Sequence, residues 1–159
     1  MKVFVWNLIL AFFWMCLWGE LTFSGLISGY FAGFIVIFLT RALIGEDQYF
    51  KKFVLALKFF LFFMKEFIFS ALKVAYDIVT PRHHMRPGIL RIPLELESDA
   101  QIQLFSSVVT LTPGTLSLDI AEDRKSIFVH FMYVDYENLE EFRLQLRDKF
   151  ENKIKELFE

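Results

Sequence analysis

Cysteine is almost missing from these 159 residues: Cys16 stands alone, so no disulfide can form within the chain and no oxidising compartment is implied. It lies in an apolar run, where a small packing residue is expected. Charge is missing from the opening stretch, since Lys2 and Glu20 are the only charged side chains in the first forty residues. No Gly-rich phosphate loop is present, and no nucleophile stands at a spacing that pairs it with a base. The sequence therefore offers no catalytic residue, no cofactor site and no metal site. Asp119, Glu122 and Asp123 are close together, but they straddle a strand end and its loop and read as a solvated turn. His83 and His84 stand together in a basic segment with no further His or Cys at ligand spacing. His130 falls mid-strand, where a hydrogen-bonded histidine is expected. Nucleic-acid binding is disfavoured: residues 1–86 hold nine Lys/Arg against five Asp/Glu, and residues 87–159 hold eight against fourteen.

What is abundant is apolar. The chain is 55% hydrophobic with 21 Phe, above the roughly 45–50% of soluble domains. Val3 to Trp18 is one apolar run, interrupted at Asn7, and covers roughly 24 Å as a helix. Trp6, Trp14 and Trp18 suit interfacial or inter-helix positions. Leu21 to Leu39 is a second run of spanning length. Lys2 before the first run resembles a cleaved signal, but Phe13 to Trp18 is too bulky for a cleavage site, so retention is expected. Gly19-Glu20 is a turn short enough to force the two helices antiparallel. Residues 1–45 thus read as a transmembrane hairpin. Lys2, Arg41, Lys51 and Lys52 lie at its open ends, which places both ends and the C-terminal half in the cytoplasm. Gly25, Gly29 and Gly33 recur every fourth residue and make a helix-packing strip for the first span or for another protein.

Residues 46–80 form a third helix of different character. Lys51, Lys58, Lys65 and Lys73, with Lys52, Glu66 and Asp77, fall on one arc of roughly 140°. The opposite side is Phe, Leu, Ile, Val and Met. Such a helix lies at the membrane surface with lysines toward anionic headgroups, or it spans the bilayer against partner proteins. Residues 81–88 are a basic Pro/Gly linker. Residues 89–159 read as a small α+β domain in the order β-α-β-β-α. Ile89–Leu96 alternates as a strand, and Pro93 suggests an edge. Ser98 with Gln101 makes a capping box for a helix to Leu111 that is apolar nearly all round and so expected to be well buried. Thr112-Pro113-Gly114-Thr115 suits a type II turn. Thr115–Ile120 and Ser126–Val134 then pair as an antiparallel hairpin. Asp135 caps a final helix with the stripe Leu139, Phe142, Leu146, Phe150, Ile154 and Leu157.

The stretch Val108-Val109-Thr110-Leu111-Thr112-Pro113-Gly114-Thr115-Leu116-Ser117-Leu118-Asp119-Ile120 resembles the hallmark of the E subunit of the multisubunit Na⁺/H⁺ antiporters (Mrp/Mnh family). Lys65-Glu66, Arg86-Pro87-Gly88-Ile89, Pro93-Leu94-Glu95-Leu96 and Val129-His130 resemble that family too, as does the layout of the whole chain. The resemblance implies a cytoplasmic-membrane complex of different subunits, in which this chain is an accessory member and larger subunits hold the ion paths. It implies other antiporter subunits and the bilayer as partners, and it carries over no catalytic residue. Thr110, Thr112, Pro113, Gly114 and Thr115 then form a structural turn or a subunit contact. A free-standing membrane-anchored binding module is the alternative. An ion carrier acting alone through Lys65-Glu66 is a third.

Overall fold

The structure, a computed structural model, describes residues 2–19, 21–44, 48–81 and 84–158. Glu20 at the expected hairpin tip, Arg82 and His83 of the linker, and the side chains of Lys2 and Arg41 lie outside what is described. The chain divides into two compact units, residues 1–54 and 55–159.

The first unit holds α1 (Lys2–Trp18), α2 (Phe23–Ile44) and the first turns of α3 (Gln48–Val79). Helix α1 stops where Gly19 takes φ +69°, a left-handed conformation that suits glycine. The Thr22 hydroxyl accepts the Gly25 N–H at 3.1 Å and caps α2. Helix α2 starts two residues later than the hydropathy suggests and runs five residues past Leu39. By length and composition Phe23–Thr40 can cross a membrane, while Val3–Trp18 is equally apolar but shorter. Phe34 gathers the rings of Tyr49, Phe50 and Phe53 at 5.0–6.0 Å between centroids, the spacing at which edge-to-face contacts are favourable. Cys16 is exposed and does not fill the packing role expected of it.

The second unit contains the rest of α3, then β1 (Gly88–Pro93), α4 (Asp99–Leu111), β2 (Thr115–Ile120), β3 (Ser126–Phe131) and α5 (Leu139–Phe158). The three strands make an antiparallel sheet in the order β1-β3-β2. The expected β2–β3 hairpin is present, and β1 is an edge as Pro93 requires, because proline has no N–H for a ladder on both sides. Strand β3 is central and the most buried. The core joins Ile92, Ile127, Val129 and Phe131 from the sheet to Ile102, Phe105, Val108 and Val109 from α4 and to Phe150 and Ile154 from α5. Each such side chain contributes about 1.5–3 kcal/mol on burial.

Local signals account for the helix ends. Both halves of the capping box form: the Ser98 side chain accepts the Gln101 N–H, and the Gln101 side chain accepts the Ser98 N–H. Helix α4 is buried on one face only, with Leu111 60% exposed, so its all-round apolarity does not translate into all-round burial. Asp135 accepts the N–H groups of Glu137 and Asn138, closing the turn ahead of α5 instead of capping the helix itself. One charged group in the core escapes a periodicity reading. Glu151 is 2% exposed and accepts the Glu95 N–H at 2.8 Å, where regular β1 pairing has ended after Pro93.

Candidate functional site

Three places concentrate the residues singled out in the sequence. The first is the α1–α2 seam. Gly25, Gly29, Gly33 and Ile37 are all buried, at i, i+4 spacing along α2, and α1 answers with Val3, Asn7 and Ala11. A Cβ on Gly29 would lie 2.7 Å from the Ala11 carbonyl oxygen and 3.0 Å from the Ala11 Cα. A Cβ on Gly33 would overlap the Asn7 Oδ1 and stand 3.1 Å from the Leu10 Cβ. Ile37 clusters with Val3 and Phe50. These pairs run in opposite directions along the two helices, so the helices are antiparallel, and Gly29 and Gly33 face α1. Asn7 is fully buried and donates from Nδ2 to the Tyr49 hydroxyl at 3.3 Å, which lies 2.9 Å from the Tyr30 hydroxyl. The sequence shows Asn7 only as an interruption. Its position four residues from both Val3 and Ala11 was the available signal.

The second place is α3. Its lysine-rich arc divides between tasks. Lys51, Lys58 and Lys65 are exposed. Glu66 instead pairs with Lys149 of α5, and the Lys73 ammonium sits 3.9 Å from the centroid of the Tyr133 ring, within cation–π range. Asp77 is buried, 3.1 Å from His84 Nδ1 and beside the Tyr133 hydroxyl. Burial pushes the Asp77 carboxyl up, but the hydrogen bond with His84 and the nearby Tyr133 hydroxyl outweigh it and hold it below the ordinary carboxylate value. Burial and then Asp77 raise the Tyr133 phenol. Phe59, Phe62 and Phe63 pack on the α+β core, with Phe62 5.7 Å from Phe150. Facing away, Phe60, Leu61, Ile68, Phe69, Leu72 and Val79 are more than half exposed.

The third place is the α4–β2 turn. Gly114 takes φ +90° and the Thr115 N–H closes onto the Thr112 carbonyl at 3.1 Å, as the type II reading requires. The Thr112 hydroxyl donates to Val108 O at 2.8 Å, and the Thr115 hydroxyl donates to Val109 O at 2.6 Å. Thr110 Oγ1 accepts the Ser117 N–H at 3.2 Å. The Thr110 and Thr115 hydroxyls thus stitch the last turn of α4 to β2, and the Thr112 and Thr115 hydroxyls add donors to carbonyls that the Thr112 N–H also reaches. With Glu66, Lys73, Tyr133 and Lys149, Pro113 and Gly114 border a cleft of about 240 Å³.

A sequence profile of the family described as Na⁺/H⁺ ion antiporter subunit matches residues 7–157. The E subunit of the Na⁺/H⁺ antiporter of Bacillus subtilis is 34% identical over 95% of this chain and 94% of its own length. Its counterpart in Alkalihalophilus pseudofirmus is 31% identical over the same shares. The chain belongs to the family of Na⁺/H⁺ antiporter E subunits. A chain of the membrane-bound sulfane sulfur reductase, an archaeal respiratory membrane complex, shares the fold. Its TM-score is 0.60 at 22% identity, covering 99% of this chain and 100% of that one.

Membership places this antiporter subunit in the cell membrane and among transporter components. Among the described residues no three His, Cys, Asp or Glu side chains are grouped to hold a metal ion. What the three places do chemically is hold helices together. A glycine strip admits close backbone approach, an ion pair and a cation–π contact dock α3, and threonine hydroxyls close a helix end.

Proposed function

We propose that this chain is an accessory member of a cation/proton (Na⁺/H⁺) antiporter complex, contributing to its assembly and stability and not carrying the ion path. One observation carries the reading. Val3–Trp18 and Phe23–Thr40 contain no Asp, Glu, Lys, Arg or His, and an ion relay across a bilayer needs ionisable groups at depth. Asn7, the buried amide there, does not titrate. In this reading residues 1–45 are a transmembrane hairpin whose cationic open ends face the cytoplasm. Residues 46–80 lie along the membrane surface. Residues 81–88 link them to a cytoplasmic domain at 89–159. Its partners are other antiporter subunits and the bilayer, in keeping with relatives named as antiporter subunits.

The surface placement of α3 rests on cost. A span would set Lys58 and Lys65 in hydrocarbon at about 2.5–3.5 kcal/mol each on insertion scales. A helix lying flat leaves Phe60, Leu61 and Ile68 in the acyl region and keeps both lysines at the headgroups. Vesicles test the function. The chain alone should exchange no Na⁺ for H⁺, and a complex expressed without it should be recovered in much lower yield. Exchange by the isolated chain would overturn the proposal.

A further inference from the structure

The three-stranded sheet has one covered face and one bare face. Helices α4 and α5 cover the first. On β2 the side chains turned toward α4 are small and polar: Thr115 donates to Val109 O and Ser117 donates to Ser106 O at 3.0 Å. The apolar residues of that strand are therefore displaced outward. Leu116 and Leu118 are each 47% exposed, and they are joined by Ile89 of β1 at 60% and Phe128 of β3 at 36%. The register aligns Ile89, His130 and Leu116 across the sheet, and Arg91, Phe128 and Asp119 in another row. The irregularity between Ser117 and Asp119 leaves Leu118 without a partner on β3. A strand with one wet face ordinarily turns its polar residues to the water. Over residues 115–118 this one does the reverse.

The chemistry and size of the bare face narrow its occupant. Its guanidinium is already occupied, because Arg91 Nε donates to Ser126 Oγ at 2.8 Å and its other end faces Asp123 at 3.7 Å. Asp119 is the other charge in these rows, and its Oδ1 already accepts the Ile120 N–H at 2.8 Å, so the face asks mainly for apolar side chains. Lipid is excluded by placement. Phe59, Phe62 and Phe63 of α3 reach the domain core from the covered side, so the sheet itself stands between the bare face and any bilayer touching the outer side of α3. Size argues against self-association in water. The four apolar side chains offer on the order of 400 Å², within the range of functional patches and about half of what each partner buries in a free-standing complex. A patch this small suffices where both partners are already held in one membrane, since the second contact is then effectively intramolecular.

We propose that Ile89, Leu116, Leu118 and Phe128 dock an apolar surface on a cytoplasmic segment of a different subunit of the antiporter. The proposal rests on the accessory-subunit reading and names its contact. Photoreactive benzoylphenylalanine at position 118, in the full chain expressed with the whole complex, should give an adduct with one other subunit. The same group at the exposed Leu144 of α5 should give at least tenfold less of that adduct. Leu116→Lys with Leu118→Lys, both at solvent-exposed positions, should lower co-purification of that subunit at least threefold while the chain stays in the membrane. No adduct at 118, an adduct with a second copy or with lipid, or equal yield at 144 would overturn the docking. If the chain still co-purifies with other subunits in those cases, the accessory-subunit reading survives. If wild-type chain is recovered alone, both fall.

Discussion

Placing a methyl group on the glycine strip is the most direct test of the α1–α2 seam, because the two central glycines are blocked by different atoms. At Gly29 the added carbon would meet the Ala11 carbonyl oxygen at 2.7 Å, with Ala11 Cα and Trp14 Cβ at 3.0 Å. Optimal separations between non-bonded carbons are about 3.5–4.0 Å. Two of these obstacles are backbone, so the helices must part by roughly 0.5–1 Å. Such a gap forfeits a quarter to a half of each dispersion contact along the seam. Under the proposed transmembrane hairpin, no hydrophobic gain between apolar helices in lipid offsets that loss. Gly29→Ala should therefore destabilise the helix pair by about 1–3 kcal/mol, the usual cost of overpacking. At Gly33 the obstacle is the Asn7 side chain, which can be removed. Gly33→Ala should cost a similar amount, and adding Asn7→Ala should recover part of it despite the lost bond to Tyr49. The coupling should reach about 0.5–3 kcal/mol. No truncation at Ala11 can rescue position 29, because a carbonyl oxygen remains there. Steric-trapping measurements of the purified chain in bicelles read these energies. The reasoning fails if Gly29→Ala lies within about 0.5 kcal/mol of wild type, or if positions 7 and 33 prove additive.

Glu151→Leu should destabilise the α+β domain by about 1–3 kcal/mol, because the Glu95 N–H loses its acceptor in a part-buried site. Glu151→Gln keeps an acceptor and should cost less, both read from thermal unfolding of the detergent-solubilised chain. Gly114→Ala meets only ordinary contacts, the nearest at 3.6 Å, but its φ of +90° strains any side chain. It should cost about 1–2 kcal/mol in the same assay. The Asp77 carboxyl is held below its ordinary 3.8. Its stabilising effect is therefore full above that value and lost as pH falls through the lower folded value. Amide protection around Asp77 and His84, relative to the intrinsic exchange rate at each pH, should hold from neutral pH down to about 4 and fall below it. In Asp77→Asn this acid step should be absent.

How far the sequence reaches differs from element to element, for physical reasons. The order β-α-β-β-α, the Ser98–Gln101 box and the Pro113-Gly114 turn are legible because each depends on a few neighbouring residues with fixed backbone demands. The α5 stripe is legible because its period is set by the helix itself. Alternation in β2 reveals two faces but not which of them the core takes. Thr115 and Ser117 go inward because α4 offers carbonyls to their hydroxyls, and those partners belong to another element. The α3 arc fails as a single surface for the same reason. Glu66 and Lys73 look like companions of Lys58 and Lys65 on a wheel, and only Lys149 and Tyr133 separate them. The glycine strip shows that something approaches closely, and the identity of that helix depends on Asn7 and Ala11, which carry no periodic signal strong enough to read alone.

Helix α3 explains why one chain needs both halves. An amphipathic helix ordinarily turns its charged side to water and its apolar side to lipid or to a core. Here Phe59, Phe62 and Phe63 are given to the α+β core, beside Glu66, Lys73 and Asp77, while a second apolar row of Phe60, Leu61, Ile68 and Val79 remains outside. A helix apolar on two sides cannot stand in water without one of them covered. The domain covers one, and under the proposed topology the acyl boundary covers the other. Under that topology the charges between the two rows would set the depth, with Lys58 and Lys65 at the headgroups, while the Glu66–Lys149 pair holds the rotation of α3 against the domain. Reversing that pair tests the rotation. Glu66→Lys alone should set two cations against each other and loosen the docking, and the added Lys149→Glu should restore it.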